Sequence, residues 1–267
     1  MNSIEMKMID VLKDLRDNHG AKNVKAEFEA ESTKLDAVLR LKEACIRADM
    51  GFVLKIGGCE SIRDMMEARI IGVDYLVAPM VESPYALRKY LQAVKKVFEF
   101  DENIGIETFV NVETKDAVKN FDAMLEISEV SLLKGIVIER VDLCYSLGLN
   151  SNDIDNEKIN KIVLETITKA KSNNMITVIG GGLNVHSIKF LESIPDGYLD
   201  FIETRKICFD CNKALKQSAE KGILKALGFE LMWLRSNMQY HKDISVTETE
   251  RMNYLDNRYG DEISSLV

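Results

Sequence analysis

The chain has 267 residues, 46% of them hydrophobic and 29% charged, with a formal net charge of -8. That acidic balance excludes a sequence-independent grip on nucleic acid or on an anionic membrane, since both need clustered Lys and Arg. No apolar run approaches the roughly 18 to 20 residues needed to cross a bilayer, so a soluble globular protein is expected.

The chain opens on "MNSIEMKMIDVLKDLRDNHG", which mixes acids and bases at helical spacing. It lacks a positively charged start followed by an apolar stretch, so it reads as a helix and not as a signal peptide, and the cytoplasm is the expected compartment. Seven β-rich runs follow: residues 23–31, 51–58, 74–82, 104–113, 134–142, 175–182 and 200–207. Charge-rich stretches with helical apolar spacing lie between them, such as "KLDAVLRLKEACIRAD" and "NEKINKIVLETITKAKSNN". Strand and helix alternating in this way mean parallel strands joined by crossover helices.

The pattern fits a doubly wound sheet or a (β/α)8 barrel, and polar residues at the strand ends choose between them. Glu31, Lys55 with Gly57 and Gly58, Glu82 with Ser83, Glu113, Asp142, Gly180 to Gly182 and Arg205 each close a run. Barrels gather chemistry from the ends of many strands, whereas doubly wound sheets concentrate it at one switch point. A TIM-type α/β barrel over residues 1–210 is therefore expected, including the N-terminal helix. Only seven strands are evident; the N-terminal segment and the long 104–113 run are the expected places for an eighth. "GGG" at 180–182 precedes "LNVHSIKFLE", whose helix N-terminus could hold an anion.

Residues 211–267 read as a helical extension: one long stretch or two broken near Gly228, then a shorter helix capped by Thr247 or Thr249. Its apolar residues, Trp233 among them, should pack on the barrel or on a neighbouring subunit in a homo-oligomer. Five scattered cysteines suggest reduced thiols, and the lone C-x-x-C of Cys208 and Cys211 lacks the second pair or histidines that a zinc site needs.

Glu113 and Asp142 lie one strand-helix-strand unit apart, so a barrel brings them to neighbouring places on its rim. Two such carboxylates suit a hard octahedral cation, Mg2+ or Mn2+. Equally, each could simply cap the helix that follows it.

These stretches carry a family resemblance. "VNVETKDAVKNFDAMLEI" and "LKGIVIERVDLCYSLGL" resemble the HpcH/HpaI aldolase and citrate lyase β-chain superfamily. The matching residues are Glu113-Thr114, Ala117 with Asn120 and Asp122, Asp142-Leu143, and Ser146-Leu147-Gly148. "GVDYLVAPMVESPYALRKYLQAV" looks like the preceding unit, with Pro79 to Glu82 at its strand end. The resemblance covers roughly residues 50 to 150 well and the remainder loosely.

It implies a TIM barrel in which Glu113 and Asp142 hold a divalent metal. That metal would chelate the carboxylate and keto oxygen of a small 2-oxo acid, or a related carboxylate, in carbon-carbon cleavage through a stabilised enolate. Lys55 stands near the place of the family's arginine, where a point charge replaces a bidentate fork. A Schiff base at Lys55 is the other reading and needs a lowered pKa. Glu82, Arg140 and Gly180 to Gly182 would line the substrate site, and Arg205 could clamp a carboxylate or phosphate, or pair with Glu203 or Glu139.

The chain departs from the family in two respects. The family's histidine base is missing from "AEFEAEST", where Glu27, Glu29 and Glu31 alternate and face either the barrel mouth or the surface. His19, His186 and His241 read as surface residues. The usual Gly-Pro is replaced by Glu139-Arg140. Two alternative functions therefore stand: another enzyme on this barrel acting on a phosphorylated or nucleotide-activated substrate, or a binding component that has lost its catalytic base.

Overall fold

The computed structural model describes residues 1–31, 33–98, 105–216 and 219–264. The chain starts with a helix, α1 (Ser3–His19), whose capping box pairs Asn2 with Glu5 and which stops at Gly20 in the left-handed conformation. Eight strands then close a barrel in chain order: β1 (Ala21–Glu27), β2 (Gly51–Lys55), β3 (Tyr75–Ala78), β4 (Glu107–Val112), β5 (Gly135–Glu139), β6 (Ile176–Gly180), β7 (Phe201–Glu203) and β8 (Ile207–Asp210). The crossovers carry α2 (Leu35–Arg47), α3 (Ile62–Ile71), α4 (Pro84–Phe98), α5 (Lys115–Leu125), α6 (Arg140–Ser146), α7 (Glu157–Ser172) and α8 (Ile188–Ser193).

A period of two sorts each strand's side chains. On β2, Phe52 and Leu54 pack outward among the helices, while Val53 joins an inner layer. That inner layer, Val53 with Val77, Phe109, Val137, Val178 and Cys208, fills the lower barrel and leaves a void of about 30 Å³. Such a void holds a water or two at most, so within the barrel the room for a ligand lies at the mouth above it.

The TIM-type barrel is as expected, but its eighth strand is not where the sequence suggested. It lies neither in the N-terminal segment nor in the described residues of 104–113, of which 104 falls outside them: Thr204 closes a two-residue turn, its backbone N–H donating to the Ile207 carbonyl at 2.9 Å. A turn this tight reverses the chain, so β8 runs antiparallel to both β7 and β1, and no helix separates the last two strands. The expected strands also run too long at their C-terminal ends, where the polar residues belong to the loops of the mouth. Asp142 in particular sits in the first turn of α6 and not on β5, which ends at Glu139.

After β8 come α9 (Cys211–Ala214) and α10 (Ala219–Ser264), a single helix of 46 residues. Gly228 does not break it, and the Thr247 and Thr249 hydroxyls donate to carbonyls four residues back, within the helix. They cap nothing. The buried flank of α10, with Ile223, Phe229 and Trp233, belongs to the main core beside α1. His19 is buried there near Lys225 and Asp14, against expectation, whereas His186 and His241 are exposed. Cys208 and Cys211 are free thiols, as are the other three cysteines. Among the described residues no helix is long and apolar enough to cross a membrane.

Candidate active site at the barrel mouth

The mouth is a cavity of about 410 Å³, reached by β1, β2, β5, β6, β7 and the first turns of α10. One side of it is a closed network of opposite charges. Lys25 points inward from β1, its Nζ bonded to Glu203 and lying 3.1 Å from Glu27. Lys55, inward from β2, lies 2.8 Å from Glu29 and 4.0 Å from Glu27. On the hairpin tip, Lys206 is buried against Glu31, while half-exposed Arg205 stands 3.8 to 3.9 Å from Glu27, Glu31 and Glu230.

Buried ions are tolerated only when paired, and here the pairing sets their charge. Burial pushes Lys25 down, but Glu203 and Glu27 outweigh it and hold the amine above its ordinary value. Lys55 is raised in the same way, burial being overcome by Glu27 and Glu29. Glu27 is held low by Lys25 and Lys55 against a burial effect of opposite sign. The raised value of Lys55 is opposite in direction to the lowered pKa that a Schiff-base lysine needs.

The other side is different in kind. Glu113, Glu139 and Asp142 each bring one carboxylate oxygen within 4.8 Å of the others. None of the three has a cation within 4 Å among the described residues. Burial is the main cause of raised pKa values in all three, with Asp142 adding like-charge repulsion at Glu113 and Glu139.

Their geometry is fixed by the backbone. Glu113 follows β4, one oxygen accepting from the Met80 N–H at 2.7 Å and the other from Asn111 Nδ2 at 2.8 Å. Met80 reaches that position with φ 52°, a left-handed conformation that side chains other than glycine rarely adopt. Glu139 accepts from the Asp142 N–H at 3.0 Å and so caps α6. Opposite it, Gly181 has φ 76°, and a Cβ there would stand 2.3 Å from the Arg140 nitrogen and 2.6 Å from a Glu139 oxygen. Only glycine lets the loop after β6 pass so close to the cluster.

The structure brings together Lys55, Arg205, Asp142, Gly181 and Gly182 on the cavity wall, with Glu113 buried beside Asp142 and Gly180 closing β6. It takes Arg140 and Glu82 elsewhere. Arg140 is fully buried and gives its donors to the Gly180 carbonyl, Asp155 and Ser187, bracing the glycine loop from behind. Glu82 accepts from the Thr114 hydroxyl at 2.7 Å and its carbonyl from Asn120, tying the end of the β3 loop to α5. The start of the segment after the glycines is already capped by Asn184, which accepts from the His186 N–H.

Lys25 had no place in the sequence reading, while Glu139 and Glu203 entered it only as possible partners of Arg205 and, for Glu139, as half of the pair that replaces the family's Gly-Pro. Glu139 was legible by parity, since Gly135, Val137 and Glu139 share the inward face of β5. Lys25 and Glu203 meet across 178 residues of chain, and no spacing rule signals that contact.

Fold and mouth together define a TIM barrel whose chemistry-bearing residues gather at the carboxyl ends of its strands. The family model described as HpcH/HpaI aldolase/citrate lyase matches residues 34–184, more than half the chain, so the protein belongs to that family. Among solved structures, an HpcH/HpaI aldolase from Desulfitobacterium hafniense DCB-2 is similar at TM-score 0.59 and 13% identity, covering 82% of this chain and 88% of that one. An HpcH/HpaI aldolase/citrate lyase family protein from Burkholderia cenocepacia J2315 gives 0.57 at 13% identity, covering 88% and 99%. The citrate synthase SbnG gives 0.56 at 12% identity, covering 91% and 98%. At these identities the structural likeness speaks to the fold alone. No curated protein sequence matches.

Proposed function

We propose that the chain is a carbon-carbon lyase of the aldolase type, dependent on Mg2+ or Mn2+ and acting on a small 2-oxo acid or related carboxylate. One observation carries this reading: among the described residues Glu113, Glu139 and Asp142 converge with no cation within 4 Å, while every other acid of the mouth has one. Three hard oxygen donors at that spacing suit a divalent ion that keeps its remaining positions for water and substrate. Bound there, such an ion supplies Lewis-acid stabilisation of negative charge developing on a substrate oxygen.

The chain's own residues supply the rest. Lys55 is a fixed positive charge facing the acidic cluster across the cavity, suited to orient a substrate carboxylate. Arg205, with no ion-pair partner nearer than 3.8 Å among the described residues, can turn its fork to a second anionic group. Glu29, on the loop after β1 where the family's histidine would stand, is the carboxylate that takes and returns a proton beside Lys55.

Calorimetry with Mg2+ and Mn2+ tests the cation site: binding is expected in the wild type and lost in Glu113→Gln and Asp142→Asn. Exchange of pyruvate's methyl protons in deuterated solvent, followed by NMR, tests the chemistry. Absence of metal binding sinks the proposal.

A second reading is favoured by one observation: no histidine lines the mouth, His19 being buried beside α10 and the other two exposed. If the cation binds and pyruvate does not exchange, the barrel serves a phosphorylated or nucleotide-activated substrate, or binds without catalysis.

A further inference from the structure

A second chamber, of about 440 Å³, lies on the far side of Arg205 from the mouth, between the start of α2 and the middle of α10. Arg205 and Glu230 line both spaces and form the partition between them. That partition is a loose pair, 3.9 Å apart. None of the residues given above to the cation or to the proton reaches the second chamber.

The chamber is rich in unused donors. Lys34 stands at the N-cap of α2 without a side-chain hydrogen bond, and the N–H groups of Leu35, Asp36 and Ala37 have no partner among the described residues. A free first turn carries partial positive charge and suits an anion. A second observation is independent of the helix: Trp233 is only 2% exposed and lines this chamber, yet its indole N–H has no hydrogen-bond partner among the described residues. A buried indole N–H ordinarily finds an acceptor. Asn237 adds a further donor. Its Oδ1 accepts from Arg40 at 3.2 Å, and because Arg40 can only donate, that contact fixes the amide and leaves Nδ2 over.

The acids of the wall are already engaged. Glu31 accepts from the Thr33 hydroxyl and from buried Lys206, and Glu230 faces Arg205. Lys34 has no ion pair among the described residues, and Arg205 is held by nothing nearer than 3.8 Å. Donors and positive charge are therefore in surplus, which is the chemistry of a site for an oxyanion.

We propose that the second chamber binds a carboxylate or phosphate group on the donors of Trp233, Asn237, Lys34 and the first turn of α2, with Arg205 turning toward it from the partition. An elongated substrate that enters the mouth passes Arg205 and lodges its anionic end there. The site rests on the chamber's own donors and stands whether or not the mouth binds a cation.

Trp233 is the sole tryptophan of the chain, so its emission reports on this chamber. Inorganic phosphate and acetate, titrated separately into the full chain against sodium chloride at matched ionic strength, test the site. A saturable change in emission with at least one oxyanion, absent with chloride, is expected, and the tighter of the two shows which group the chamber takes. Lys34→Glu, at an exposed position, should weaken that binding roughly tenfold or more. Asn237→Asp keeps an acceptor for Arg40 but replaces the amide donor with a negative charge, and should weaken it at least as much. Glu113→Gln should leave it unchanged, which separates this site from the cation cluster. No response to either oxyanion, or a response that chloride reproduces, overturns the proposal. So does equal affinity in the wild type, Lys34→Glu and Asn237→Asp, or binding that Glu113→Gln abolishes.

Discussion

The two sides of the barrel mouth hold similar numbers of acids and treat them in opposite ways. On the β1, β2 and β7 side, Lys25, Lys55 and Lys206 neutralise Glu203, Glu27, Glu29 and Glu31, and the charges lock one another in place. On the β4 and β5 side, Glu113, Glu139 and Asp142 face one another with hydrogen-bond donors but, among the described residues, no cation within 4 Å. A closed network of that first kind fixes shape. The second is an arrangement that is costly in the bare protein and becomes favourable when a positive ion arrives.

Removing a charge should therefore have opposite consequences on the two sides. Lys25→Met would leave buried Glu203 without its lysine and Glu27 with the more distant Lys55 and Arg205, at 4.0 and 3.9 Å, and a loss of about 3 to 5 kcal/mol is expected by denaturant unfolding. On the opposite side, Glu139→Gln should leave the metal-free protein as stable as the wild type or more so, while weakening Mg2+ binding. A destabilised Glu139→Gln would mean that the acidic cluster is a structural network like its neighbour.

The positioning of Glu113 supplies a finer distinction. Asn111→Leu removes the donor to one Glu113 oxygen and should weaken cation binding about 10- to 100-fold, read by calorimetry. Unchanged affinity would show that the Met80 N–H alone aligns the carboxylate.

The two sides should also respond differently to pH. Glu113, Glu139 and Asp142 have folded-state values above the ordinary carboxylate range, so the folded state binds more protons there. Their contribution to the metal-free protein thus worsens as pH rises from the ordinary carboxylate value through the raised one. Glu27, held low, contributes stability that is present above the ordinary value and is lost as pH falls through its lowered one. Saturating Mg2+ should remove the first dependence and leave the second, which thermal melts across pH would reveal. The smallest effect is expected at Met80: Met80→Gly keeps the N–H, relieves the left-handed backbone and should change stability by less than about 1 kcal/mol.

How much of this the sequence disclosed follows from which forces act locally. Alternating strands and helices announce a barrel because period two and period 3.6 are written in neighbouring residues. Glu113 and Asp142 were readable because one barrel unit separates them, although Asp142 belongs to the turn of α6. The eighth strand escaped because a two-residue turn at Arg205 and Lys206 carries no glycine or proline signal. The pairing of Lys25 with Glu203 escaped because barrel closure, not spacing, brings β1 beside the end of the chain's last hairpin. His19 looked solvent-exposed because only α10, more than 200 residues later, buries it.

The contrast between the two sides is tested most directly by titrating Mg2+ or Mn2+ into the wild type and into Glu113→Gln by calorimetry. One bound ion per chain, absent in Glu113→Gln and retained in Glu29→Gln, is the predicted result. Equal heats in all three proteins, or none in the wild type, would contradict it.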